Sequence, residues 1–260
     1  MSGKSDSPVI VSGHQPSYLP WLGFFHKLSL CDKYVFMDTV QFEDNGWLHR
    51  NKIRIPDGWI WLTIPIDHER SNKDRLDEVY PKGADTPREQ TFWQDEHWKS
   101  IQHSYASADY FDEYAPPLKK LYKETVWDRL IDLCWAQLEL FSEWLGLDDR
   151  SLYRMSEHDF EGTKDDLILD QVEKLDGDAV VFGTNGRDYV DVSKFTERGI
   201  SVYFQDYQHP TYSQRFDGFE PHMSIIDLVF NHGPEARDIL LEGNITRQDL
   251  RTGNNWVNRE

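Results

Sequence analysis

The chain is 260 residues long and carries 28 lysine and arginine against 46 aspartate and glutamate side chains, a formal net charge of −18 with histidine neutral. That acidity disfavours phosphate backbones and anionic membranes as partners unless a local basic patch overrides it. Composition also excludes a disordered chain: 38% hydrophobic and 14% aromatic residues suffice for a substantial core despite a mean hydropathy of −0.69.

Cys31 and Cys134 both lie in apolar runs, which is the usage of reduced core thiols in a cytoplasmic protein and not of a secreted disulfide scaffold. No segment has signal-peptide form and no apolar run is long enough to span a membrane, so a soluble, unexported chain is expected. Residues 1–7 read as a disordered polar tail, 8–242 as a single α/β domain and 243–260 as a polar, loose C-terminal tail.

In chain order, Val9-Ile10-Val11 reads as a buried strand running into the turn Gly13-His14-Gln15-Pro16. Apolar residues at helical spacing from Trp21 to Leu30 follow, and then the short strand Tyr34-Val35-Phe36-Met37, a β-α-β opening. Residues 39–56 are polar, aromatic and basic. The run from Trp59 to Ile66 is β-rich and is expected beside the first two strands, and 67–88 reads as a loop or flap. Helices are expected over about 89–107 and 118–145, the second ended by Gly146. Thr163-Lys164-Asp165-Asp166 has the form of a capping box opening a helix through Leu175. Ala179–Phe182 and Ile200–Phe204 read as further strands, and Ser224 opens a late helix to about Phe230. The alternation predicts an α/β fold: a mostly parallel, Rossmann-like sheet with flanking helices and an inserted helical lobe over about 89–145. Ligands of such sheets gather at the carboxyl ends of the strands.

Three segments leave those ends. In the first, His14 has the intrinsic pKa of a general acid or base, Gln15 offers a donor and an acceptor, and Tyr18 and Trp21 offer rings; the alternative is a proline-fixed βα turn plugged by aromatics. The second packs Asp38, Gln41, Trp47, Arg50, Asn51 and further polar residues into 17 positions, with a local basic cluster from His49 to Arg54. Arg50 would fork onto a phosphate or carboxylate, Trp47 would stack on a sugar or base, and Asp38 at a strand end would act as a base or a magnesium ligand. A solvated loop with Arg50 paired to Asp38 is the alternative. The third, Gly183-Thr184-Asn185-Gly186, would bring backbone N–H groups and Asn185 to an anion, or is an ordinary glycine turn without phosphate-loop spacing. Ser224 and Asp227 suit either a site or a helix cap. No cluster has metal-ligand spacing, so no metal is expected, and the cofactor and oligomeric state stay open.

The run Gln15-Pro16-x-Tyr18-x-Pro20-Trp21-x-Gly23-Phe24-Phe25, then Asp38-x-Val40-Gln41-Phe42 and Gly46-Trp47-x-x-Arg50-Asn51-x-Ile53, resembles the WbqC-like family. Leu62-Thr63-x-Pro65, Ala108-x-Tyr110-Phe111 and Ser224-Ile225-Ile226-Asp227 with Asn231 extend the likeness over residues 9–231. The family is associated with O-antigen and other surface-polysaccharide gene clusters. The resemblance therefore implies a cytoplasmic transferase acting on a nucleotide-linked amino sugar, with acyl or aminoacyl transfer as the step. It places Ser224, Asp227 and Asn231 with the other substrate-binding residues; that no nucleic acid or membrane is a partner is expected from the acidic charge. Two other classes stay open: a nucleotidyltransferase, although the His-x-Gly-His element is absent, and a carbohydrate-binding protein without turnover, to which ten tryptophans and twelve tyrosines are suited.

Overall fold

The structure, a computed structural model, describes residues 7–42, 46–83, 87–253 and 255–257, with backbone alone over 87–91. Most of the expected N-terminal tail, residues 1–6, lies outside the described residues. The elements run β1 (Ile10–His14), α1 (Leu22–Ser29), β2 (Lys33–Phe36), β3 (Arg50–Ile55), β4 (Gly58–Thr63), α2 (Pro87–Tyr105), α3 (Phe111–Lys123) and α4 (Leu130–Trp144). After these come β5 (Ser151–Arg154), α5 (Asp165–Lys174), β6 (Ala179–Phe182), α6 (Ser193–Thr196), β7 (Ser201–Phe204), α7 (Ile225–His232), α8 (Ala236–Leu241) and α9 (Arg247–Thr252).

Five strands form one parallel sheet in the order β5-β2-β1-β6-β7. A parallel sheet is covered on both faces, which is why β6 reads Ala-Val-Val-Phe without alternation and is buried throughout. Ile10 and Val181 face one apolar cluster with α1, the helices α2–α4 and α7; Val11, Val180 and Val202 face another with α5 and α6. Two carboxylates bind the amino end of β1 to its neighbours: Asp32 accepts from the Ile10 N–H and Asp178 from the Val9 N–H, each at 2.9 Å. The expected α/β architecture with its parallel sheet is observed, and α2–α4 form the helical section inserted between β2 and β5.

Four expectations fail. The run at 59–66 does not join the sheet: β4 pairs antiparallel with β3 in a separate hairpin turned at Asp57-Gly58, where Gly58 has φ of 123°. Alternation identifies it, because Leu62 is buried while Trp59 on the opposite face is 38% exposed, the pattern of a half-covered antiparallel strand. The sheet position expected for it is filled instead by β5, a four-residue strand with polar ends.

The helix expected over 118–145 is two helices. α3 runs through Pro116 and Pro117 from Phe111, and the chain breaks at 124–129, where the Gln94 amide and the Trp127 indole N–H donate to carbonyls of Thr125 and Leu121 that helix would otherwise use. Gly146 does end α4, with the Leu147 N–H returning to the Ser142 carbonyl at 2.8 Å.

The capping box expected at Thr163 does not form, since Lys164 occupies the N-cap with φ of 53° and no side chain caps it. A complete box occurs at Thr246 and Asp249, opening α9 inside the segment expected to be loose. That segment is tied to the fold: Trp256 is buried and Val257 bridges Val202 on β7.

Candidate functional site

From β1 the chain passes to β2 and β5 on one side and to β6 and β7 on the other, so the loops leaving β1 and β6 diverge at the point where strand order reverses. A cleft of about 530 Å³ opens there, a size typical of small-molecule sites. Its walls are Gly13, His14 and Gln15 after β1, Met37 and Val40 after β2, Gly183 to Gly186 after β6, Trp21, Phe24 and Lys27 of the α1 segment, and Lys164 and Asp165 at the start of α5. In a chain of net charge −18, this lining carries two lysines and one aspartate.

His14 ends β1 with an exposed edge in the cleft. Its Nδ1 lies 2.8 Å from the Gln15 carbonyl, which can only accept, so the proton sits on Nδ1 and the lone pair on Nε2. The Phe24 ring stands edge-on at 5.3 Å. Desolvation by the surrounding walls, then the Lys27 charge, push the imidazole down to about 4 against the hydrogen bond to Gln15, and the ring is neutral at pH 7.

Lys27 lies within α1, every residue of which is buried, and is itself only 6% exposed. Its Nζ donates to the Gly13 carbonyl at 2.7 Å, at the floor of the cleft, and burial pushes the ammonium down to about 8. Gly13 fits closely in turn, for a Cβ there would stand 2.9 Å from the Val35 carbonyl oxygen. Trp21 is held by shape: a Cβ on Gly23 would meet its ring at 2.3 Å, so glycine lets the indole lie across the start of α1. Gln205, after β7, donates to the Gly23 carbonyl at 2.8 Å and lies 2.9 Å from His26 Nδ1, fixing α1 against the sheet.

Of the residues expected from sequence, His14, Gln15, Trp21 and Asn185 line this cleft. The others do not. Asp38 is fully buried behind β2, where its carboxylate accepts from the Ser156 N–H at 2.8 Å, the Ser156 hydroxyl at 2.7 Å and Arg154 Nε at 3.3 Å. Arg154, not Arg50, is thus its ionic partner, and Arg154 also reaches Asp132 at 2.9 Å. Arg50 lies on the hairpin with its guanidinium 4.8 Å from the Trp61 ring centre, and Trp47, 46% exposed, packs against the same ring. Asn51 is buried, donating to the Leu19 carbonyl at 2.6 Å and accepting from the Lys52 N–H, which pins the hairpin to the turn before α1. The expectation that Gln15, Asp38, Trp47, Arg50 and Asn51 line one pocket is therefore not met.

Tyr18 is a core residue whose hydroxyl joins Tyr122 and His97. Gln41 is exposed beside residues 43–45, which lie outside the described residues. Ser224 caps α7, and its N–H donates to the Lys52 carbonyl at 2.9 Å. Asp227 does not complete a capping box: its buried carboxylate accepts from the hydroxyls of Tyr105 and Tyr212 and from Gln214, and desolvation raises its pKa against those donors. Asn231 donates to the Asp227 carbonyl at 2.6 Å and lies beside a separate surface hollow with Arg215 and His232.

Sequence reasoning missed Lys27. The available signal is a lysine inside a short, mostly apolar helix, where a charge has no solvated face to occupy.

The model of the WbqC-like protein family matches residues 15–239. The chain is also similar to a protein of Mycobacterium tuberculosis (strain ATCC 25618 / H37Rv), the uncharacterized protein Rv1507c, with 30% identity over 227 residues that cover 87% of this chain and 95% of that one. No solved structure matches. The match covers the cleft lining from Gln15 to Gln205, with Gly13 and His14 just before it, and with it the chain belongs to the WbqC-like protein family.

Proposed function

We propose that the protein is a transferase acting on a nucleotide-linked amino sugar, moving an acyl or aminoacyl group to the sugar amine. The observation that supports this best is a neutral imidazole, with its Nε2 lone pair available, beside a cation and an indole at the switch point of a parallel sheet.

In this reading the free amine attacks the acyl carbonyl, the new C–N bond forms, and the tetrahedral adduct carries its positive charge on nitrogen. That N–H is far more acidic than an ordinary ammonium, so a weakly basic imidazole suffices to take its proton. The bond from the acyl carbon to its carrier then breaks, and His14 returns the proton to the leaving group. Trp21 supplies a flat face for a sugar or base, while Gln15 and Asn185 supply amides for hydroxyls.

Asp38 has no part in this scheme, because its oxygens are committed to Ser156 and Arg154 away from the cleft. The same reading assigns the protein to the cytoplasm, where nucleotide-linked sugars are made, without a nucleic-acid partner. Among the described residues no helix is long and apolar enough to cross a membrane.

The test is a mass-spectrometric screen of purified protein against nucleotide-linked amino sugars and activated acyl donors. A defined gain in sugar mass that requires the protein supports the reading; binding with no mass gain across donors overturns it in favour of a carbohydrate-binding role.

A further inference from the structure

A buried ammonium ordinarily faces a carboxylate, because an uncompensated charge in the interior is costly to desolvate. Lys27 breaks that pattern. Its side chain is more than nine-tenths buried, it donates to one neutral carbonyl, that of Gly13, and among the described residues no carboxylate lies within ion-pair distance of Nζ. Two of its three N–H donors are left over at the floor of the cleft.

Its surroundings favour the same kind of ligand. Lys164 lies in the same lining, and α5, ten residues long, begins at the cleft rim with the positive end of its dipole. Asp165, the carboxylate in the lining, is engaged by the Asp191 N–H at 3.1 Å. An apolar residue would pack position 27 without the desolvation penalty, so a charge kept there needs a partner that arrives from outside.

We infer that Lys27 is the anchor of an anion-binding subsite at the floor of the cleft, and that its ligand is a phosphoryl group, the diphosphate of the nucleotide-linked sugar. The diphosphate assignment rests on the function proposed above; the anion site does not. Lys27 thereby takes the role that the sequence suggested for Arg50, which lies on the hairpin.

Calorimetric titration at pH 7 with inorganic pyrophosphate, and separately with UDP-glucosamine, tests both levels. For the wild-type protein, pyrophosphate binding is expected together with shifts of the Gly13 and Gly183 amide resonances. In Lys27→Met the affinity should fall at least tenfold while Tm holds or rises, since a charge without a partner is removed; a lysine kept for its bond to Gly13 would instead lower Tm. Wild-type protein that binds no pyrophosphate, or binds it without shifting Gly13, overturns the inference even if the variant fails to fold. Equal affinity in Lys27→Met also overturns it. Pyrophosphate bound through Lys27 with no binding of UDP-glucosamine keeps the anion site and removes the nucleotide-sugar reading. UDP-glucosamine bound equally by both proteins does the reverse.

Discussion

Two regions of the molecule carry chemically versatile side chains, and they differ in what those side chains already touch. In the region of Asp38 and the hairpin the versatile groups named from sequence are held by the fold: Asp38 binds Ser156 and Arg154, Asn51 binds Leu19, and Lys52 lies 3.9 Å over the Trp59 ring. In the cleft, His14 Nε2 and two donors of Lys27 make no hydrogen bond among the described residues. Residue type alone favours the first region, with its dense polar and basic cluster. Shape and charge favour the second, because a buried ammonium that faces a neutral carbonyl in the lining of a cleft is available to a ligand, while Asp38 and Asn51 are committed to the fold.

Variants should separate the two regions cleanly. His14→Ala is expected to lower kcat by 100-fold or more, the usual loss for a proton-transfer group, with thermal stability little changed because the ring edge is exposed. An activity assay beside a melting curve checks both halves, and a near-normal kcat would move the chemistry elsewhere.

Asp38→Asn should show the opposite signature. Removing a buried charge that Arg154 depends on costs about 3 kcal/mol, read as a lower denaturant midpoint, while pyrophosphate affinity of the folded protein stays unchanged. A stable variant with impaired turnover would return Asp38 to the site.

A pH effect follows from two histidines outside the cleft. Burial holds His26 and His97 down to about 4, below the ordinary 6.5 that they regain on unfolding. The unfolded chain therefore binds more protons between those values, and stability falls as pH drops from about 6.5 towards 4, with a slope of up to about 1.4 kcal/mol per pH unit for each ring. Chemical denaturation at pH 7 and pH 5 measures this, and equal stabilities would mean that the rings are protonated in the fold.

The smallest effect expected is that of Thr246→Ala, about 1 kcal/mol for the lost cap of α9, with no change in anion binding.

The sheet was legible because buried parallel strands leave uninterrupted apolar runs, as at Ala179–Phe182, and because α1 separates two of them at β-α-β spacing. The hairpin was misread since Trp59 to Leu62 is apolar at every position, and only the three-dimensional fold distinguishes a strand covered on both faces from one that exposes its tryptophans. β5 carries too few apolar residues to stand out, and α3 passes through two prolines that in sequence signal a break.

At the cleft, the positions of His14, Gln15, Trp21 and Asn185 were legible because strand ends locate the switch point. Lys27 was not, because its meaning lies in the absence of a carboxylate near it among the described residues, which no local pattern reveals. Asp38 and Arg50 misled for the converse reason: the partner of Asp38 is Arg154, 116 residues along the chain, and the loops that bring them together are invisible to spacing.

The central claim, that the cleft between the ends of β1 and β6 is where substrate binds, is tested most directly by amide chemical-shift mapping of the labelled protein during titration with UDP-glucosamine. The account predicts saturable shifts at Gly13, Gly183 and Gly186, with Gly58 at the hairpin turn unmoved. Shifts centred on Gly58, Lys52 and Trp61, with the cleft glycines silent, would contradict it and place the ligand on the hairpin.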